Sequence, residues 1–445
     1  MTTCHPVAHR LWAWRIAQVL PSLVVLVVGL RYISIVPLWT DELYGWAAVR
    51  EGLGVDHGEP FLLPFYTAIW ALTGGGQCLS EACLRWPGLA AASITVLLIG
   101  LTTGRIGGRP AGVAGSFLIM GVVIVHRSTL ELRHYAISAM LIAGTLYVLQ
   151  IVSGRPSLRW PWPSYAVLLV VAGVIQPVSL AALAGHGVLV FGTRNPLLRR
   201  RWLITLACCS PLGLAAGIIY LRSGDYGGAE SYGELIPSLE NLSQAVTWPV
   251  SGGTLTLPAI GAIAGILLML ALDTSVGRRW LLAGVASMAL IYMVSLGSRD
   301  FWFGRFLWPL IGFFAVAAAL AFRNYSRWRT MGVVALVLAL CYPVFLASIA
   351  PWSRGTDFRT GMAIVDANWQ QGDVFRVINV TDQWGMERYG AAGPYPTVET
   401  ATSPDHAVWS FGLLPPCAEP ESWKISPEIS LWRCPAGSPP ILVTP

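Results

Sequence analysis

Residues 39–52 read WTDELYGWAAVREG, and they follow directly on an apolar run at 17–36. A hydrocarbon core of ~30 Å is crossed by roughly 17 to 25 apolar residues in a helix, so that run is read as a membrane span. Asp41 and Glu42 then stand just beyond its end. A carboxylate at that depth is costly unless it lines a wet cavity or has a partner. Two adjacent ones make the first loop the place to look for chemistry.

The rest of the chain agrees with a membrane reading. Of 445 residues, 55% are hydrophobic and 12% are charged, against about 25% charged in an ordinary soluble domain. Apolar runs recur about eleven times, at 17–36, 87–103, 111–126, 135–152, 164–176, 178–192, 203–221, 258–272, 280–297, 306–322 and 331–350. The fifth and sixth meet at Pro177, which removes a backbone donor, so a tight reversal is expected there rather than one kinked helix.

Charge orients the spans. With the N-terminus inside, the inner segments carry 15 of the 28 arginines and, among acids, only Asp273. The outer loops carry 8 arginines, and the tail after residue 350 carries the last 5 together with Lys424. Short cytoplasmic loops are rich in Lys and Arg, which supports a cytoplasmic N-terminus, an external C-terminus and eleven spans. A single kinked helix at Pro177 would put the later arginine-rich loops outside. The first run leads into PLWTDE, not a small-residue cleavage site, so it is expected to stay as a span.

The acids follow the same map, with 22 of 23 on the external side. Asp41, Glu42, Glu131 and Asp300 lie at external span ends, with Arg133 near Glu131, and Arg299 and Arg305 near Asp300. Cys78, Cys83, Cys417 and Cys434 are also external, where thiols tend to pair. Pairing of Cys78 with Cys83 and of Cys417 with Cys434 is the simplest of three connectivities.

The first external loop, 37–86, is expected to hold two amphipathic helices, DELYGWAAVREGL and FLLPFYTAIWAL, with Trp39, Trp46, Tyr66 and Trp70 at headgroup level. Thr40 would cap the first, placing Asp41 and Glu42 in its opening turn. Acids in a first turn need no catalytic role, and arginines at span ends can simply snorkel to headgroups. The tail, from DFRTGMAIVDANWQQGDVFRVINV onward, reads as a helix, a Gly-Asp turn and a strand within a small α/β module. The expected domains are 1–350 in the membrane and 351–445 outside it.

A loop hugging the membrane and opening on two acids suits chemistry on a lipid-linked reactant, which cannot leave the bilayer. Such chemistry needs a carboxylate near the reacting hydroxyl and cations near the phosphate. LELRHYA, residues 130–136, supplies Glu131, Arg133, His134 and Tyr135, and SRDFWFGRFLWPL, residues 298–310, supplies Arg299, Asp300 and Arg305. Arginine suits phosphate because its planar fork stays charged and donates two parallel hydrogen bonds.

The long first loop opening on Asp-Glu is followed by DHGEPFLLPFYTAIW, then ACLRWPGLAA, ELRHYA and GRFLWPL. This order resembles the GT-C membrane glycosyltransferases and is most similar to the family 39 protein mannosyltransferase and aminoarabinose transferase group, over about residues 15 to 325. The resemblance implies inverting transfer of a sugar from a polyprenyl-phosphate donor to a glycan, lipid or protein acceptor on the outer face. It implies that Asp41 is the general base, with Glu42 beside it. It implies that Arg133, with His134 and less firmly Arg305, meets the donor phosphate. Glu131, Tyr135 and Asp300 would support them. Where relatives show His-Pro-Pro followed by Leu-Tyr, this chain has DHGEPFLLP, with His57 and Pro60 as the spread-out counterpart.

The expected fold is therefore an all-α polytopic membrane protein of GT-C type with about eleven transmembrane helices and the small external α/β module. No cofactor, obligatory metal or nucleic acid is expected: arginine alone can meet a monophosphate leaving group, and the first loop has no Asp-x-Asp. The alternative is a polytopic transporter or lipid flippase for a cell-envelope precursor. Against it, acids and arginines gather at one face, whereas transporter sites lie near the bilayer midplane between inverted repeats.

Overall fold

A computed structural model of the chain describes residues 6–38, 40–51, 62–122, 125, 129–222, 257–297, 307–325, 332, 357–377, 380–391, 395–398, 407–412, 417, 420–425 and 430–439. The helices in the first part of the chain are α1 (Pro6–Tyr32), α2 (Thr40–Glu51), α3 (Leu63–Leu72), α4 (Glu81–Gly107), α5 (Arg109–Met120) and α6 (Tyr135–Gly154). They continue with α7 (Pro161–Ile175), α8 (Ala182–Phe191), α9 (Pro196–Arg222), α10 (Leu257–Leu272), α11 (Ser275–Gly297) and α12 (Ile311–Ala319). Two more, α13 (Phe358–Asn368) and α14 (Val380–Tyr389), lie in the tail. The chain divides into two compact units. The first is Met1–Ile33, Gly58–Ile69 and Arg85–Ser348; the second is Ser34–His57, Trp70–Leu84 and Ile349–Pro445.

In the first unit the described parts of the apolar runs are helical. Among the described residues, Ala13–Tyr32, Glu81–Gly107 and Tyr135–Gly154 are long and apolar enough to cross a membrane, while Leu63–Leu72, Pro161–Ile175, Pro177–Phe191 and Trp308–Asn324 are apolar but shorter. The run at 331–350 lies almost wholly outside the described residues. Breaks between helices come from local backbone chemistry. Gly108 takes φ 84 between α4 and α5, a conformation that favours glycine. Pro161 and Pro110 stand in first turns, where a missing donor costs nothing. At Pro177, where a tight reversal was expected, the helix is interrupted: Gln176 is extended, and a 3₁₀ turn, Pro177–Ala181, precedes α8. The backbones of α4 and α5 touch, since a Cβ on Gly112 would come 2.9 Å from the Cα of Gly104. Small residues allow that approach, as in helix pairs in lipid.

This unit is apolar outside and polar in places within. Val27, Leu214, Met269 and Met293 each expose more than 60% of their surface, as side chains facing hydrocarbon would. Inside, the Trp202 indole N–H donates to Tyr165 Oη at 3.0 Å, and Tyr165 Oη lies within hydrogen-bonding distance of His186 Nδ1, at 2.8 Å. The Thr145 hydroxyl donates to the Ile142 carbonyl at 2.7 Å, so His186 Nε2, 3.4 Å from Thr145 Oγ1, bonds to it by carrying the ring proton, and Nδ1 is left to accept from Tyr165. Each polar group in this buried chain has a partner, as a low-dielectric interior requires.

The second unit has a small sheet and two disulfides. Its strands are β1 (Val374–Arg376), β2 (Thr397–Val398), β3 (Val408–Gly412), β4 (Glu421–Lys424) and β5 (Ser430–Cys434). They lie in the order β2-β1-β3-β5-β4, with β1 parallel to β2 and β3, and β5 antiparallel to β3 and β4. The expected helix, turn and strand are found. Asp357 caps α13 by accepting from the Thr360 amide at 3.0 Å, and Gly372 makes the turn into β1 at φ 98. Phe358 of α13 packs edge-on against Phe411, which also meets Phe375. Both local disulfides form, Cys78–Cys83 and Cys417–Cys434, the second beside Val374 and Val408 in the core.

The first loop departs from expectation in one respect. α3 is one-sided, with Phe65, Tyr66 and Ile69 buried and Leu63 and Leu72 exposed. α2 is not an amphipathic surface helix: Glu42, Leu43, Trp46, Ala47, Ala48 and Val49 are all buried. Its small residues, Gly45, Ala47 and Ala48, let neighbours close on several sides, which a surface helix does not need. Trp46 and Tyr66 are accordingly enclosed by protein. Trp39 lies outside the described residues.

Candidate active site

In the first unit, residues 129–134 run irregularly into the start of α6, and Thr129, Leu130, Glu131, Leu132, Arg133, His134 and Tyr135 are all buried. The segment packs against α3. Arg133 Nη1 donates to Tyr66 Oη at 3.3 Å, the His134 ring lies edge-on to Phe65 at 6.1 Å, and Tyr135 lies 4.3 Å from His134. Arg133 is only 5% exposed. A guanidinium that snorkelled would keep its head in water, so this one is held inside instead. Burial, reinforced by the charge of Arg133, holds His134 well below the ordinary imidazole range. His134 thus offers a neutral ring and an N–H, not a second positive charge.

In the second unit, Asp41 and Glu42 occupy the first turn of α2, where the helix dipole favours negative charge. Glu42 is fully buried. The side chain of Asp41, and His57, Asp300 and Arg305 entirely, lie outside the described residues. Of the residues singled out in sequence, the structure therefore gathers Glu131, Arg133, His134 and Tyr135 in one buried segment and sets Glu42 on a buried helix.

Two residues were missed. Tyr66 was read only as an interfacial aromatic, yet its hydroxyl accepts from Arg133. Arg85, in ACLRWPGLAA, is fully buried and donates to the Ile33 carbonyl at 3.2 Å, fastening the end of α1. An arginine at the head of an apolar run signals a charge that must find a partner, but not which one.

By sequence, the chain matches no protein-family model and no curated protein. By structure, it aligns with ArnT from Cupriavidus metallidurans in the apo state, at a TM-score of 0.58 and 12% identity, over 95% of this chain and 98% of that one. ArnT bound to undecaprenyl phosphate aligns at 0.57 and 13%, over 96% and 98%. The chain has the GT-C glycosyltransferase fold. It is the fold of a multi-pass membrane protein. An Archaeoglobus fulgidus oligosaccharyltransferase aligns more distantly, at a TM-score of 0.43 and 14% identity, over 85% of this chain and 58% of that one.

Chemically, a buried arginine is suited to an anion. Its attraction is screened far less than in water, and its fork fits phosphate oxygens. A carboxylate in a helix first turn is suited to accepting a proton while staying ionised before it does so.

Proposed function

We propose that the protein is an integral membrane glycosyltransferase that moves a sugar, mannose or another hexose or pentose, from a polyprenyl-phosphate donor to an acceptor at the extracytoplasmic face, with inversion. The observation that carries this reading is the alignment with ArnT over nearly the whole chain, one of the two matched structures being bound to undecaprenyl phosphate. The acceptor is a glycan, a lipid or a protein. Eleven spans, a cytoplasmic N-terminus and an external 351–445 segment complete the proposal, supported by the arginine asymmetry of the loops.

In the reaction, the acceptor oxygen bonds to the anomeric carbon as the bond to the donor phosphate breaks. The acceptor proton passes to Asp41, and the phosphate leaves with the bonding electron pair. Positive charge builds on the sugar and negative charge on the phosphate. Asp41 is assigned as base because the first turn of α2 favours its ionised form. Arg133 is assigned to the phosphate because a buried, pre-oriented guanidinium stabilises developing charge without reorganising. Arg305 is a second cation, His134 an N–H donor, and Glu42, Glu131, Tyr135, His57 and Asp300 are supporting groups. No obligatory metal is invoked, since arginines alone can meet a monophosphate.

The test is lipid mass spectrometry of membranes made with and without the protein. Loss of polyprenyl-phosphate sugars and gain of free polyprenyl phosphate, dependent on the protein, supports transfer. Donors that keep their sugar but change leaflet would favour the transporter reading instead.

A further inference from the structure

The second unit contains a half-buried ionic junction that none of the proposed catalytic steps uses. Glu81 opens α4 and lies between the disulfide partners Cys78 and Cys83, with Ser80 Oγ accepting from the Cys83 amide at 3.3 Å. Its side chain is 10% exposed. Oε1 accepts from Arg359 Nη2 at 2.8 Å and from the Tyr389 hydroxyl at 3.0 Å, and Oε2 lies 3.3 Å from Arg388 Nη2. Both guanidiniums also lie over the Tyr389 ring, at 5.5 and 5.4 Å. Burial and the adjacent Glu81 charge push the Tyr389 hydroxyl well above its ordinary range, so it stays protonated and can donate.

The junction reaches the loop helix. Tyr389 Oη donates a hydrogen bond to Glu81 and accepts one from the Leu38 amide at 2.7 Å, and Leu38 is two residues before α2 begins. Arg359 Nη1 donates to the Ile35 carbonyl at 2.9 Å in the same approach segment. At the far end of α2, Arg50 pairs with Glu387, and Tyr44 packs edge-on against Trp384 of α14 at 5.1 Å. The loop before Glu81 also presses on this helix: a Cβ on Gly76, at φ 79, would come 2.7 Å from the Val49 carbonyl. α2 is therefore gripped near its start and along its length by the C-terminal helices and by the turn at Gly76.

We infer that the C-terminal segment is the holder of the loop helix, and that Glu81 and Tyr389 are positioning residues that fix Asp41 through the relay Glu81, Tyr389, Leu38. The catalytic part of this inference rests on the proposed function; the mechanical part does not. Removing the Tyr389 hydroxyl deletes both hydrogen bonds of the relay while keeping the ring beside the two guanidiniums. Glu81→Gln keeps an acceptor oxygen for Tyr389 but removes the charge that faces the arginines, so it should act in the same direction and more weakly on Leu38.

The experiment compares wild type, Tyr389→Phe and Glu81→Gln as full chains in lipid nanodiscs, by hydrogen exchange and by turnover of a panel of undecaprenyl-phosphate sugars. Amides in 38–51 of Tyr389→Phe should exchange faster by about tenfold or more, while those of β3 exchange as in wild type, since local opening is read segment by segment. For the donor that wild type uses, kcat should fall about tenfold with KM nearly unchanged, the signature of a group misplaced in the transition state rather than of lost binding. Unchanged exchange in 38–51 in both variants overturns the relay. Faster exchange with unaltered kcat overturns the positioning role. Should wild type turn over no donor in the panel, the enzymatic reading falls, and the exchange data still decide whether the C-terminal segment holds α2.

Discussion

The first unit turns Val27, Leu214, Met269 and Met293 outward and keeps His186, Tyr165 and Arg133 inside, whereas the second buries Phe358, Phe375 and Phe411 and turns Arg50, Glu387 and Glu421 to its surface. The first pattern suits lipid, where every polar group needs an internal partner because no water supplies one. The second suits water, where apolar burial drives folding and exposed ion pairs such as Arg50–Glu387 add little. Both disulfides belong to the second unit, while the described free cysteines, Cys208 and Cys209, lie on α9 of the first. The two units thus carry patterns suited to two different solvents.

Substitutions can break or sharpen this contrast. The largest effect is expected from the second unit, where Asp41→Asn keeps size and an acceptor oxygen but cannot take a proton, so transfer should fall by about 10²–10⁴ with the protein still folded. Near-normal turnover at saturating donor removes Asp41 as the base. In the first unit, Arg133→Ala should cost about 10²–10³ in kcat, the range for losing one charge-stabilising donor. Arg133→Lys should fall between, since lysine is a point charge without the planar fork. Turnover and inhibition by added polyprenyl phosphate on the three purified forms check this, and full activity of the lysine form leaves Arg305 as the better phosphate ligand.

Two smaller effects separate the units by stability. Replacing Cys417 and Cys434 together by alanine releases a link spanning 17 residues and should cost the second unit about 2–4 kcal/mol. Limited proteolysis of the full chain should then show faster cutting after residue 357 and unchanged cutting in α4 to α8. His186→Phe should instead weaken the first unit by roughly 1–3 kcal/mol, because Tyr165 and Thr145 lose a buried partner. Denaturation in one detergent, followed segment by segment, reads that loss; an equal loss in the second unit would show that the two do not respond separately.

How much of this was legible in sequence differs in the same way. Local signals were read well: the helix, turn and strand at 357–376, both cysteine pairs and the break at Pro177 all depend on neighbours a few residues apart. The burial of α2 was not legible, because Gly45, Ala47 and Ala48 give no strong periodicity and only tertiary packing encloses them. Tyr66 meets Arg133 across 67 residues, and Glu81 meets Arg359 and Tyr389 across 278 and 308. Helical period and composition carry no information at that separation. In the site itself, the ELRHYA segment was found from residue type and place at a span end, while its partner Tyr66 was taken for an interfacial ring.

The account stands or falls on whether a sugar leaves a polyprenyl-phosphate carrier. The direct measurement is mass spectrometry of the lipid after purified protein in nanodiscs is incubated with undecaprenyl-phosphate sugars and candidate acceptors, with Asp41→Asn and protein-free nanodiscs alongside. Wild type should release undecaprenyl phosphate and add one sugar mass to an acceptor, while both controls leave the donor intact. Intact donor with every sugar and acceptor in the wild-type sample, or release at the same rate in Asp41→Asn, would contradict it.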